Sequence, residues 1–420
     1  MTKEIINIGV IGLGIRGRFL MNTLLEIDNA NIFALCDPIG ERLEQAATDV
    51  VSKTGKKPLI FADFNELLSV KEIDAVLVCT TWITHCKIAI AAMKAGKHVG
   101  MEVGGAASIE ECWQLVRVTE ETGKKFMLLE NCCYADNELA LFNMERKGLF
   151  GELIHLQGGY EHDLREEIVL GKENKHGRLY NFLNRNGDLY PTHQLGPIAK
   201  MLRINRGNRF LMLTSMASKS RGLHEWILEN KGKDYYLANK TFEQGDIVTT
   251  MIKCAHGETV LLLHGVSLPR PYSRDGRIQG TKGIWLEDGN TIYLHGISPY
   301  NIQTCHEDPH QWENFDNYRK TYRHPLWLEY EKKGIKEGHG GIDYLVLSAF
   351  ADCIIKDIEP PIDVYDTAVW MSITCLSEQS VAMGSMPVPV PDFTSGSWIN
   401  RPELKPSKYS LDEVHEDLFI

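Results

Sequence analysis

The sequence lacks any apolar run approaching the ~20 residues that a membrane-spanning helix requires. An α-helical membrane protein is therefore not expected. A basic excess is missing too: 45 Lys and Arg stand against 56 Asp and Glu, a net charge of −11. That balance argues against nucleic acid or an anionic membrane as a partner. Cys-x-x-Cys is absent, although the chain holds 10 cysteines. Most lie in apolar segments, which fits reduced core thiols in a cytoplasmic protein. Cys132 and Cys133 are adjacent, so strain disfavours a disulfide between them. No signal segment precedes the first apolar run, which follows directly on Met1-Thr2-Lys3-Glu4. A cytoplasmic location is expected, or a secreted or periplasmic one if a leader has been removed. No internal repeat is visible.

What is present suits two globular domains: 420 residues, 43% hydrophobic and 24% charged. The chain is organised around residues 8–37. Ile8 to Ile11 is β-branched and apolar, and reads as a buried strand. Gly12-Leu13-Gly14-Ile15-Arg16-Gly17 follows and matches G-x-G-x-x-G. Phe19, Leu20, Leu24 and Leu25 then recur at helical spacing, and a second strand, 31–36, ends in Asp37. Gly12 permits the tight turn, Gly14 the approach of a pyrophosphate, and Gly17 close packing of helix on strand. The helix N-terminus offers free amides to an anion. Asp37 is placed to hold the adenosine ribose hydroxyls and to repel a 2′-phosphate, which favours NAD over NADP. Arg42 is the contrary signal. The alternative reading is a glycine-rich turn in some other α/β protein.

Strands and helices alternate to about residue 130. Helices are expected near 41–53 and 85–95, and strands at 59–61, 75–79, 97–101 and 126–130. Ser108 and Glu111 form a capping box. The pattern predicts a doubly wound parallel sheet over 1–130, whose ligands bind past the strand ends. Beyond it, strands at 154–160, 209–215, 247–253, 259–265, 277–281, 283–287 and 291–294 predict a large, mostly antiparallel open sheet. Residues 300–340 read as irregular, and helices are expected at 343–356 and 364–383. The second domain, 131–420, is expected to bind substrate and support a homo-oligomer, its last helix and tail returning to the first domain.

Gly187-Asp188-Leu189-Tyr190-Pro191-Thr192-His193 is the second informative stretch. His193, at the start of a predicted helix, is suited to proton transfer. The spacing also reads as a core histidine bonded to backbone. His306-Glu307-Asp308-Pro309-His310 matches H-E-x-x-H, but Pro309 breaks the helix that zinc ligation would need. A solvated loop and no metal are expected. Arg270-Pro271-Tyr272-Ser273-Arg274 is a basic, aromatic turn that suits either a sugar hydroxyl or a strand cap.

Together these residues resemble the Rossmann-fold sugar oxidoreductases that include glucose–fructose oxidoreductase and inositol dehydrogenase. The resemblance covers nearly the whole chain, from the glycine turn through Glu102 and His193 to His339-Gly-Gly-Ile-Asp343. Two departures stand out. Val103 replaces a lysine that aids proton movement in those dehydrogenases, and Pro197 occupies a position often held by aspartate. Both are similar to a hydrolase branch, glycoside hydrolase family 109. The matching residues are Ile15-Arg16-Gly17, Trp82-x-x-His85, Glu102-Val103, Glu130-Asn131, Tyr160, Tyr190-Pro191-Thr192-His193 and Pro271-Tyr272-Ser273-Arg274.

The resemblance implies cleavage of α-N-acetylgalactosaminides with bound NAD and no net redox change. The sugar would be oxidised at C3, lose its C2 proton and C1 substituent, add water and be reduced again. Cofactor contacts would come from Gly12, Gly14, Ile15, Arg16, Gly17, Asp37, Trp82, His85, Glu102, Val103, Asn131 and Tyr190. His193 would move the C3 hydroxyl proton. Tyr160 would take the C2 proton if a neighbouring charge favours its phenolate, since a free phenol titrates near 10. Tyr190 would position the sugar, and Arg178, Pro191, Thr192 and Tyr272 would hold it. A plain NAD-dependent sugar dehydrogenase and a non-catalytic NAD-binding protein are the alternatives.

Overall fold

Strands β1 (Ile6–Ile11), β2 (Ala30–Cys36), β3 (Leu59–Phe61), β4 (Ala75–Val78), β5 (His98–Met101) and β6 (Phe126–Leu128) form a parallel sheet. Its order is β3-β2-β1-β4-β5-β6. The computed structural model describes residues 4–299, 311–334, 339–402 and 404–419. The central strands are apolar throughout, as a sheet covered on both faces requires: every residue of β4 is buried. Helices α1 (Ile15–Leu24), α2 (Gly40–Thr54), α3 (Phe64–Leu68), α4 (Trp82–Lys94) and α5 (Ile109–Thr122) connect them. At the start of α5 the Ser108 hydroxyl accepts from the Glu111 amide at 3.2 Å. The Glu111 carboxylate returns to the Ala107 amide at 3.0 Å, one residue earlier than a capping box predicts.

The second sheet has order β14-β13-β12-β11-β7-β10-β9-β8-β15. Its strands are β7 (Leu153–Glu161), β8 (Phe210–Ala217), β9 (Val248–Cys254), β10 (Thr259–Gly265), β11 (Arg277–Gly280), β12 (Gly283–Leu286), β13 (Thr291–Leu294), β14 (Glu313–Asn314) and β15 (Val388–Pro389). β7 and β10 pair in parallel, and the other described pairings are antiparallel. Burial alternates along β9, so one face is packed and the other open. β15 lies at the sheet edge, where Pro389 removes no needed ladder donor.

Helices α6 (Asp136–Arg146), α7 (Arg165–Val169), α8 (Arg178–Asn184), α9 (Thr192–Met201) and α10 (Gly222–Asn230) accompany this sheet. The stretch read as irregular contains α11 (Asp316–Thr321) and α12 (Pro325–Lys332), and α13 (Ile342–Lys356) and α14 (Val364–Ala382) follow. His306 and His310 lie outside the described residues. The chain divides into two compact units. One comprises Met1–Ala135, Pro325–Ser372 and Pro402–Ile420, and the other Asp136–His324 and Ile373–Arg401. Among the described residues no helix is long and apolar enough to cross a membrane.

Candidate active site

In the first unit the strand order reverses between β1 and β4, the switch point at which such sheets bind nucleotides. Gly12 has φ +94°, and a Cβ there would stand 2.7 Å from the Cys79 backbone. A Cβ on Gly17 would lie 1.9 Å from the Gly12 carbonyl oxygen, so no larger residue keeps this turn. Gly14 is the opposite case: its nearest such neighbour is an Arg42 nitrogen at 3.7 Å, leaving space beside the backbone. It is also the N-cap of α1, with no side-chain cap and no acidic residue in the first turn. The amides there are open to an anion. Ile15 projects outward, 89% exposed.

Asp37 is buried at the end of β2 and accepts from the Leu13 amide at 2.7 Å and the Ile39 amide at 2.9 Å. Each oxygen keeps a lone pair for a hydroxyl. Arg42 approaches it at 3.9 Å.

Past β4, His85 is fully buried, and its Nε2 lies 2.9 Å from the Thr80 carbonyl, to which it donates as the neutral ring. Burial pushes its pKa down to about 4, so it stays neutral, and its buried Nδ1 has no hydrogen-bond partner. Asn131, past β6, likewise leaves Oδ1 buried and unpartnered. Two orphaned acceptors, past the ends of β4 and β6 of the same sheet, fit a donor-bearing nucleotide. Past β5, Val103 is buried and has no proton to exchange. A Cβ on the following Gly104 would come 2.6 Å from the Trp82 indole, so Gly104 is what lets that ring lie against the backbone.

Arg16 does more than line the turn. It donates twice to Asp343, at 2.9 and 2.7 Å, and its Nε lies 3.3 Å from Glu102. Asp343 also accepts from Asn131 at 2.8 Å, and His339 Nδ1 lies 2.6 Å away. Burial would raise the Asp343 pKa, but the hydrogen bonds from Arg16 and His339 outweigh it and hold the group well below the usual carboxylate range. Asp343 was not legible as a site residue beyond its place in the His-Gly-Gly-Ile-Asp run.

In the second unit, β7 ends by presenting Tyr160, and the turn before α9 presents Tyr190. Their ring centroids are 4.6 Å apart, and His193 stands 5.4 Å from the first and 4.8 Å from the second. Arg178, on α8, lies 5.7 and 5.3 Å from those two rings and hydrogen-bonds Tyr160. It also meets Glu167 at 3.0 Å. Tyr272, about half exposed, approaches Tyr160 at 6.4 Å. It is placed there because Ser273 and Glu161 exchange backbone hydrogen bonds at 3.0 and 3.2 Å. Arg274 turns away to Glu138, and Arg270 pairs with Glu161. Pro191 and Thr192 are buried, leaving His193 as the half-buried member of that stretch. Pro197, inside α9, removes the amide that would bond the His193 carbonyl. Sequence reasoning passed over His162. Its ring stands 5.3 Å from Tyr272, and its Nδ1 is buried without a hydrogen-bond partner.

Asp188 caps this turn, accepting from the Tyr190 amide at 3.3 Å. Burial pushes its pKa up to about 7, although the Tyr190 hydrogen bond opposes the shift. The folded state therefore favours the protonated acid more than the unfolded chain does. This contribution to stability is full below the unfolded value near 4 and is lost as pH rises from there to about 7. Asp188→Asn is expected to raise the melting temperature at pH 8 and change it little at pH 4. An equal shift at both pH values would refute a buried titrating acid.

Fold and first-unit geometry define an NAD-binding α/β protein of the oxidoreductase type. Residues 6–129 match the oxidoreductase family with an NAD-binding Rossmann fold, and residues 134–400 match the glycosyl hydrolase 109 C-terminal domain. The chain belongs to glycosyl hydrolase family 109. It is 42% identical over 423 residues to an α-N-acetylgalactosaminidase of Tannerella forsythia, covering 95% of this chain and 88% of that protein. It is 41% identical to a family 109 protein of Parabacteroides distasonis, covering 94% and 88%. An NAD-binding oxidoreductase from Klebsiella pneumoniae shares the fold, with TM-score 0.70, 18% identity, and 92% and 99% coverage. So does apo scyllo-inositol dehydrogenase from Lactobacillus casei, with TM-score 0.65, 16% identity, and 93% and 99% coverage.

Proposed function

We propose that the protein hydrolyses α-N-acetylgalactosaminides, using the Tyr160–Tyr190–His193 cluster to move protons at C2 and C3 of the sugar. Bound NAD supplies the hydride acceptor, and later the donor, for C3. Gly12, Gly14 and Gly17, the Ile15 and Arg16 amides, Asp37, Trp82, His85, Glu102 and Asn131 would hold it. His193 takes the C3 hydroxyl proton as the ketone forms. Tyr160 takes the C2 proton, now acidified by the ketone, and the C1–O bond breaks with its electron pair leaving on the aglycone oxygen. Water adds at C1, its spare proton passing to the departed aglycone oxygen, a proton exchanged with solvent returns from Tyr160 to C2, and His193 gives back the C3 proton as the carbonyl is reduced. Tyr190, Arg178 and Tyr272 hold the sugar. Pro191 and Thr192 shape the turn that carries His193.

The observation that carries this reading is the packing of two phenols against an imidazole on one side and a guanidinium on the other, a set that transfers protons and binds hydroxyls. The buried Val103 supports hydrolysis over net dehydrogenation. Purified protein with no added cofactor is expected to release the chromogen from an α-N-acetylgalactosaminide without accumulating NADH. No release, or steady NADH formation from free sugars, would overturn the proposal. The open sheet face exposes Met212, Met216 and Met251, which suits a homo-oligomer. A one-protomer mass by light scattering would refute that assembly.

A further inference from the structure

We propose that Asp343 is a positioning residue for the nicotinamide nucleoside half of NAD, acting through Asn131 and Arg16. In a sheet of this order the first half, β1 to β3, takes the adenosine, and the second, β4 to β6, faces the nicotinamide nucleoside. Asn131 follows β6, and Glu102 follows β5.

A carboxylate only accepts hydrogen bonds. Asp343 therefore selects the nitrogen of the Asn131 amide, 2.8 Å away, and turns its oxygen to the other side. That oxygen is buried without a hydrogen-bond partner, and Asn131 as a whole is 4% exposed. A buried acceptor aimed at no protein donor points to a ligand donor. The nicotinamide nucleoside carries such donors on its carboxamide and its ribose. His85 Nδ1, past β4 in the same half, is a second buried acceptor of the same kind.

Asp343 is itself held rigidly. Arg16 grips both its oxygens, at 2.9 and 2.7 Å, and the same guanidinium reaches Glu102 at 3.3 Å. Fork-to-fork pairing fixes orientation as well as distance. One carboxylate on α13 thus holds the first turn of α1 and the residue past β6, and through Arg16 it reaches the residue past β5.

The test uses the full chain, freed of nucleotide and titrated calorimetrically with NAD⁺ and, separately, with ADP. ADP lacks the nicotinamide nucleoside and reports general damage to the glycine turn. Asp343→Asn leaves too few acceptor sites for Arg16 and Asn131 together. It is expected to weaken NAD⁺ by about 10-fold or more, the scale of one lost buried hydrogen bond, and ADP by less than about 2-fold. Asn131→Ala spares the Asp343–Arg16 pair and is expected to show the same selective loss. It decides the matter if the Asp343 variant does not fold. Equal weakening of both ligands, or unchanged NAD⁺ affinity in a folded variant, overturns the proposal.

Discussion

His193→Ala is expected to lose about 100- to 10,000-fold in glycoside turnover, the usual range for removing a proton-transfer group. Folding and NAD content should be unchanged. The ring is half-buried on the first turn of α9, edge-on to Tyr190 at 83° and to Tyr160 at 63°. Imidazole ordinarily titrates close to physiological pH, so it can both take and return the C3 proton within one cycle. The buried Val103 carries no proton to exchange. The glycine turn and Asp37 lie in the other compact unit, so the alanine variant is expected to purify with nucleotide. Wild-type turnover in the variant would make His193 a packing residue only. Loss of bound NAD together with activity would show that it supports the fold instead.

Strand pattern was the legible part of this fold. Thr259 to Gly265 and Thr291 to Leu294 form strands with the ends that alternation and turn residues predict. Several helices were not legible, for identifiable reasons. Seven consecutive residues of α6, Glu138 to Met144, are buried, so no polar face marks it as a helix. None of α11 is buried, so it has no apolar face either. α8 spans seven residues, too few for a period to show.

The site divides in the same way. The tight glycine turn and the acid at the end of β2 were readable as local geometry because one βαβ unit contains Gly12, Gly14, Gly17 and Asp37. The joining of Asp343 to Arg16 and Asn131 was not, because those residues are 327 and 212 positions away. His162 was hidden for a different reason. Its significance lies in an unpartnered ring nitrogen beside Tyr272, which spacing cannot reveal.

Tyr160→Phe is the second substitution expected to have a large effect, again about 100- to 10,000-fold in turnover. Phenylalanine keeps the ring that packs 4.6 Å from Tyr190 and 5.4 Å from His193, so the cluster should survive. It removes the phenol oxygen and with it the hydrogen bond to Arg178. That bond matters to the proposed chemistry because a guanidinium at the phenol oxygen places positive charge where a proton acceptor develops negative charge. The C2 step has its own readout. Wild-type turnover in deuterated water should place deuterium at C2 of the released sugar, since the proton returning there comes from solvent. In the Phe variant both exchange and turnover should fall together. Undiminished turnover with full C2 exchange in that variant would assign the C2 proton to another base, with His162, 6.4 Å from the Tyr160 ring, the first to substitute. Wild-type product carrying no deuterium at C2 would remove the elimination step altogether.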